Sequence, residues 1–137
     1  MTPMAVTDSE LFAAAEGVRA RAHAPYSRFH VGVAILADDG KVYAGCNIEN
    51  AAYPIGNCAE ASAIAAMIAG GGKRIKRMYV TGPGAAPVTP CGGCRQRIRE
   101  FARPGTLVHA AGPDGVRRTF TIEELLPESF GPEHLGG

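Results

Sequence analysis

The sequence has almost no surplus charge. Fourteen Lys and Arg against thirteen Asp and Glu leave a formal net charge of +1, so no global field marks a binder of nucleic acid or of a membrane surface. The longest apolar run falls far short of the roughly 20 residues that a membrane span needs. The opening stretch MTPMAVTDSELF lacks the basic start and apolar core of a signal peptide, and a cytoplasmic location is therefore expected. Cysteine is scarce as well. Four cysteines in such a compartment read as metal ligands or free thiols, not as a disulfide framework. The basic residues that do cluster (Lys73, Arg74, Lys76 and Arg77; Arg95, Arg97 and Arg99) form short groups without interleaved aromatics. They read as solvated faces or subunit contacts and not as a phosphate-tracking surface.

What is present describes one globular unit. A chain of 137 residues corresponds to a single domain, 1–137, long enough to bury a core without staples. Thr7, Asp8 and Ser9 offer N-cap chemistry, and Leu11, Phe12, Ala15, Val18 and Ala22 recur at helical spacing, so a helix is expected over 8–22. FHVGVAILA (29–37) and KVYAGCNIE (41–49) read as strands joined by an Asp38-Asp39-Gly40 hairpin turn. A loop over 50–57 leads to a helix at 58–70, closed by three glycines. A strand at 77–81, a Pro/Gly loop, a helix at 91–102, strands at 106–111 and 116–121 and one final helical turn complete the chain. Strands alternating with helices predict an α/β sandwich.

Three thiols line up in this scheme. Cys58 opens one helix, and Cys91 with Cys94 opens another as P-C-x-x-C. Both helices follow strand-to-helix loops, which gather at one edge of an open α/β sheet. Helix N-termini favour thiolate over thiol, and a C-x-x-C pair on one helical turn can grip a single ion. Two helix mouths are thus expected to hold one Zn²⁺ through three sulfurs, leaving a fourth, catalytic position open. Such an ion makes hydroxide available near neutral pH, and Glu60 beside it can move the proton. Taken singly, each residue has a plainer reading. Cys58 would be a small buried residue and Glu60 a first-turn acid favoured by the helix dipole. Cys46, inside the second strand, reads as a core thiol; as a fourth ligand it would make the site structural.

The strings CAE (58–60) and PCGGC (90–94) resemble the zinc deaminase signature, in which the Glu is a proton shuttle and not a ligand. PYSRFHVG (25–32), GCNIENAAY (45–53), GNCAEA (56–61), TPCGGCRQ (89–96) and ELLPESFGP (124–132) extend the likeness over nearly the whole chain, to the small homotetrameric cytidine deaminases. That resemblance implies a five-stranded mixed sheet flanked by helices, one zinc per subunit, and a tetramer with shared active sites. By position, it implies Cys58, Cys91 and Cys94 as zinc ligands and Glu60 as the shuttle. It also implies Asn47 and Glu49 on the ribose, Phe29 against the pyrimidine, the Ala59 backbone on the base, and Tyr53 and Phe130 reaching neighbouring sites. For Asn47 and Glu49 the plainer reading is loop capping around Asn50, and for Phe29 it is core burial. One departure stands out. Many relatives carry Arg directly after the shuttle Glu, where it helps offset thiolate charge, and this chain has Ala61. Arg95 is then the expected substitute donor to a ligand sulfur. Ala61 also keeps open a related aminopyrimidine substrate of the blasticidin S type, and a non-catalytic zinc-stabilised domain is the reading from another class. The implied substrate is a free nucleoside such as cytidine or 2′-deoxycytidine, salvaged to the uracil nucleoside, with no nucleic-acid and no membrane partner.

Overall fold

A computed structural model describes residues 5–136. Residues 1–4, where the N-terminal stretch read above begins, and residue 137 lie outside the described residues. The elements are α1 (Asp8–Arg19), β1 (Gly32–Ala37), β2 (Val42–Cys46), α2 (Ala59–Ala69), β3 (Ile75–Thr81), α3 (Gly92–Phe101), β4 (Ala102–Gly112), β5 (Gly115–Thr121) and α4 (Ile122–Leu125), with 3₁₀ turns at Tyr53–Ile55 and Pro132–Leu135. The five strands form one mixed sheet in the order β2-β1-β3-β4-β5. Only β3 and β4 pair in parallel, joined through α3.

The sheet separates two apolar layers by strict alternation along β1. Val33, Ile35 and Ala37 face a core shared with Ala63, Ile64 and Met67 of α2, Ile98 of α3 and Ile122 and Leu125 of α4. Ala34 faces the opposite side, where Leu11 and Ala15 of α1 pack with Tyr79. Full burial of each large side chain contributes about 1.5–3 kcal/mol, so α1 on one face and α2–α4 on the other close the expected three-layer sandwich. No helix among the described residues is long and apolar enough to cross a membrane.

The boundaries depart from the sequence expectation for identifiable reasons. Thr7 caps α1 by accepting the Glu10 N–H at 3.2 Å, but the helix ends at Arg19 and not at 22. The His23 N–H donates to the Asn47 carbonyl and the His23 carbonyl accepts the Glu49 N–H, which draws the chain out of helical geometry. β1 starts three residues late because the Asn47 side chain, not a strand, pairs with Phe29 and Val31. β4 starts four residues early, directly after α3. Its pairing with β3 shifts between Ile75↔Ala102 and Arg77↔Leu107, and this irregular stretch absorbs Pro104 and Gly105, the latter at φ 84°. Proline inside a strand belongs at such a bulge.

One register relation places the site. Gly32 of β1 pairs with Cys46 of β2 on one side and with Thr81 of β3 on the other. Because β1 is antiparallel to both, β2 and β3 run in the same direction and end level at one sheet edge. The chains leaving those two ends lead into α2 and α3.

Candidate metal centre and active site

Cys58 and Cys91 immediately precede α2 and α3, each with extended backbone (φ −72°, ψ 154° and φ −66°, ψ 168°) and neither thiol capping its own helix. Both are exposed, whereas Cys94, one turn into α3, is fully buried. The three Sγ atoms lie within 4.8 Å of one another. A tetrahedral zinc with 2.3 Å bonds sets its sulfurs about 3.8 Å apart, so the trio has the dimensions of one ion's ligand shell, and three soft sulfurs suit zinc. Among the described residues no fourth Cys, His, Asp or Glu joins the group. Cys46 is half-buried on β2 and stands outside it. Such a three-ligand set leaves a tetrahedral ion one open position.

The electrostatics of the protein alone favour a cation here. The Cys94 backbone N–H holds the Cys91 thiol below its ordinary range, as a helix N-terminus should. Cys58 and Cys94 go the other way: burial pushes both thiols up and the Glu60 carboxylate adds to it, although at Cys58 a hydrogen bond with the Cys94 thiol pulls partly back. The expectation that both helix mouths favour thiolate thus holds for Cys91 alone. Three adjacent sulfurs and a carboxylate cannot all ionise without a positive charge among them.

Glu60 lies in the first turn of α2 and is only 5% exposed. Burial raises its carboxyl above the ordinary carboxylate range, while its own backbone N–H and the Arg97 guanidinium pull it partly back. Ala59 beside it is buried at the start of the same helix. Arg95 does not donate to a ligand sulfur, contrary to expectation. Its guanidinium is spent on the Pro90 carbonyl (2.8 Å), the Leu125 carbonyl (2.9 Å) and Thr89 Oγ1 (3.3 Å). The donor is Arg97, whose Nη1 lies 3.5 Å from Cys94 Sγ. The signal for it in the sequence was its i, i+3 spacing from Cys94.

Asn47 and Glu49 are engaged with the segment that carries Phe29, not with the Asn50 loop. Asn47 Oδ1 accepts the Val31 N–H and Nδ2 donates to the Phe29 carbonyl, both at 2.8 Å. Glu49 accepts the N–H groups of Tyr26 (2.9 Å) and Ser27 (3.1 Å) and the Ser27 hydroxyl; the Ser27 hydroxyl foremost, with the two N–H groups adding and burial opposing, holds its carboxyl below the usual range. Phe29 is 43% exposed, which removes the core-burial alternative. A cavity of about 380 Å³ opens here, lined by Tyr26, Ser27, Glu49, Asn50, Tyr53 and Gly56. Tyr26 and Ser27, inside PYSRFHVG, carry no signal in the sequence of their own; their contacts with Glu49 bring them to the cavity. Tyr53 and Phe130 are 72% and 57% exposed. Phe130 sits on the C-terminal tail, whose backbone Gln96 Nε2 holds at the Phe130 carbonyl.

The family model for the cytidine and deoxycytidylate deaminase zinc-binding region matches residues 5–110. A cytidine deaminase of Sporosarcina psychrophila is 41% identical over 126 residues, covering 92% of this chain and 93% of its own. The crystal structure of a cytidine deaminase from Burkholderia pseudomallei superposes with a TM-score of 0.85 at 39% identity, covering 91% of this chain and all of that one. The corresponding Mycobacterium tuberculosis structure gives 0.79 at 36%, over 92% and 99%. With the same fold and a family match over most of its length, the chain belongs to the cytidine and deoxycytidylate deaminase zinc-binding family.

Proposed function

We propose that this protein is a zinc-dependent hydrolase that converts cytidine and 2′-deoxycytidine to the uracil nucleosides with release of ammonia. The observation that carries the reading is the convergence of Cys58, Cys91 and Cys94 beside a buried Glu60 that is not part of the sulfur cluster. Zinc bound to the three sulfurs supplies Lewis acidity that makes a water nucleophilic near neutral pH. Glu60 takes the proton and carries it first to N3 of the pyrimidine and then to the departing amine. Burial suits that task, since it brings a carboxyl closer to the pH at which it must both take and give a proton. The helix start at Ala59 offers a free backbone N–H to the base. Phe29, fixed by Asn47, packs on the pyrimidine face. Asn47 and Glu49 border the ribose, where Glu49 would repel a 3′-phosphate; this argues for a free nucleoside over a polynucleotide.

The same reading places the active unit, the single domain 1–137, in a homotetramer. Tyr53, Ile55, Phe130 and Leu135 are apolar and largely exposed in the single chain. Large apolar side chains left this exposed are candidates for burial against another chain, and neighbouring copies covering these residues would complete one another's sites. Light scattering should give a tetramer, and a fully active monomer would rule this out. A cytoplasmic role in pyrimidine salvage accords with the free thiols. The decisive test of function is ammonia release from cytidine by the zinc-loaded protein, with Glu60→Gln alongside. Loss of about 10²–10⁴ in turnover on substitution is expected. Turnover of blasticidin S with none of cytidine would shift the substrate, and a folded, zinc-loaded protein inert to both would end the deaminase reading.

A further inference from the structure

We propose that Arg97 supplies the positive charge that balances the three-thiolate centre, so that helix α3 and its N-cap residue carry two of the ligands and their counter-charge. The inference deepens the zinc deaminase reading and rests on it. Three thiolates around Zn²⁺ leave a net charge near −1, and an ionised Glu60 adds another. Cys94 is 0% exposed, so water cannot solvate its share and a protein donor must. Position 61 holds alanine and contributes nothing.

Arg74 and the three arginines of α3 can be told apart by what they already do. Arg95 is anchored on three oxygen atoms. Arg99 is held by Ser129 and Glu133. Arg74 donates to the Glu100 carbonyl. Arg97 forms no ion pair with a carboxylate among the described residues, and its Nη1 donates to Cys94 Sγ at 3.5 Å. Its guanidinium folds back along the first turn of α3: a Cβ built on Gly93 would stand 3.6 Å from the same Nη1. The i, i+3 spacing that puts Cys94 and Arg97 on one helix face therefore delivers the charge to the ligand that solvent does not reach. A delocalised, weakly hydrated guanidinium suits a position against sulfur better than an ammonium does.

Arg97 is a positioning residue, acting on the ligand set and not on substrate. Its test is zinc affinity of the full chain, measured by competition with a chromophoric chelator, together with the thiolate-to-metal charge-transfer band of the Co²⁺-substituted protein. Arg97→Ala should weaken zinc binding by about 10–100-fold, the usual cost of losing a partner of a metal ligand. The Co²⁺ band should move to longer wavelength as the sulfur loses its donor. Arg97→Lys should fall between wild type and Arg97→Ala. Arg103→Ala, which removes an exposed charge away from the sulfurs, should stay within twofold of wild type and so separate local from global charge. Equal zinc affinity and an unmoved band in Arg97→Ala would overturn the assignment. An equal loss in Arg103→Ala would also overturn it, since net charge would then be the cause. Wild-type protein that binds zinc yet releases no ammonia would count against the deaminase reading and leave the Arg97 assignment standing.

Discussion

Gly45 of β2 faces the backbone of Ala63 in α2 with no room for a side chain: a Cβ on Gly45 would lie 2.4 Å from the Ala63 nitrogen and 2.7 Å from the Ser62 carbonyl carbon. Those are helix backbone atoms, which cannot rotate away. Gly45→Ala must therefore push α2 off the sheet, and α2 carries Glu60 and is entered through Cys58. Overpacking of this kind costs about 1–3 kcal/mol, seen as a fall of several degrees in Tm. Zinc content should fall with it, because Cys58 would move relative to the two sulfurs of α3. An unchanged Tm with full zinc occupancy would show that strand and helix have slack here.

Asn47 carries a second structural prediction. Its amide does for Phe29 and Val31 what a strand partner does elsewhere, with one donor and one acceptor at 2.8 Å. Asn47→Ala leaves a Val31 N–H and a Phe29 carbonyl without these partners, a loss worth about 1–3 kcal/mol. Hydrogen exchange at the Val31 amide should accelerate, and KM for cytidine should rise at least tenfold (~1.4 kcal/mol) as Phe29 loses its fixed position. A raised KM with an unaltered Val31 exchange rate would instead assign Asn47 to direct contact with the sugar.

Much of this was legible in the sequence because it rests on local signals. The period of α1, the β-branched run of β1 and the paired helix mouths at Cys58 and Cys91 each follow from neighbours in the chain. What escaped depends on contacts across the fold. Arg95 and Arg97 are both arginines near Cys94, and only the carbonyls of Pro90 and Leu125 decide that Arg95 is already occupied. Asn47 and Glu49 look like loop caps until α1 and β1 bring residues 26–31 against them. The early start of β4 ran against the sequence because Pro104 and Gly105 mark a break, and the sheet accommodates them in an irregular stretch.

His109 predicts a pH dependence of stability. It is 8% exposed on β4, its ring tilted against Tyr79 with centroids 4.4 Å apart, with Nδ1 2.8 Å from Thr119 Oγ1 and Nε2 buried without a partner among the described residues. Burial lowers its pKa from the usual value near 6.5; Asp8 opposes the shift and Arg77 adds to it. A folded-state value below the unfolded one means that the unfolded chain binds the proton first. The stability His109 contributes is thus present above about pH 6.5 and is lost as pH falls toward its folded value. His109→Gln should flatten the fall in Tm between pH 7.5 and 5.5 relative to wild type. The wild-type-minus-variant difference isolates His109, because protonation of the zinc ligands is common to both proteins. Parallel Tm curves would show that His109 is not the group responsible.

Metal removal separates a three-sulfur centre from a closed four-sulfur one. Cys46 stands outside the cluster and is half-buried, whereas Cys58 and Cys91 are exposed. In zinc-loaded protein a thiol reagent should therefore find Cys46 alone, and slowly, since the other three are coordinated. After a strong chelator, Cys58 and Cys91 should react at once and Cys94 only as fast as its buried turn opens. Tm should fall as well, because an ion that binds only the folded chain stabilises it by mass action. Four protected thiols in the loaded protein would mean that Cys46 completes a closed shell. The open position would then be gone, and Glu60 would have no water to deprotonate.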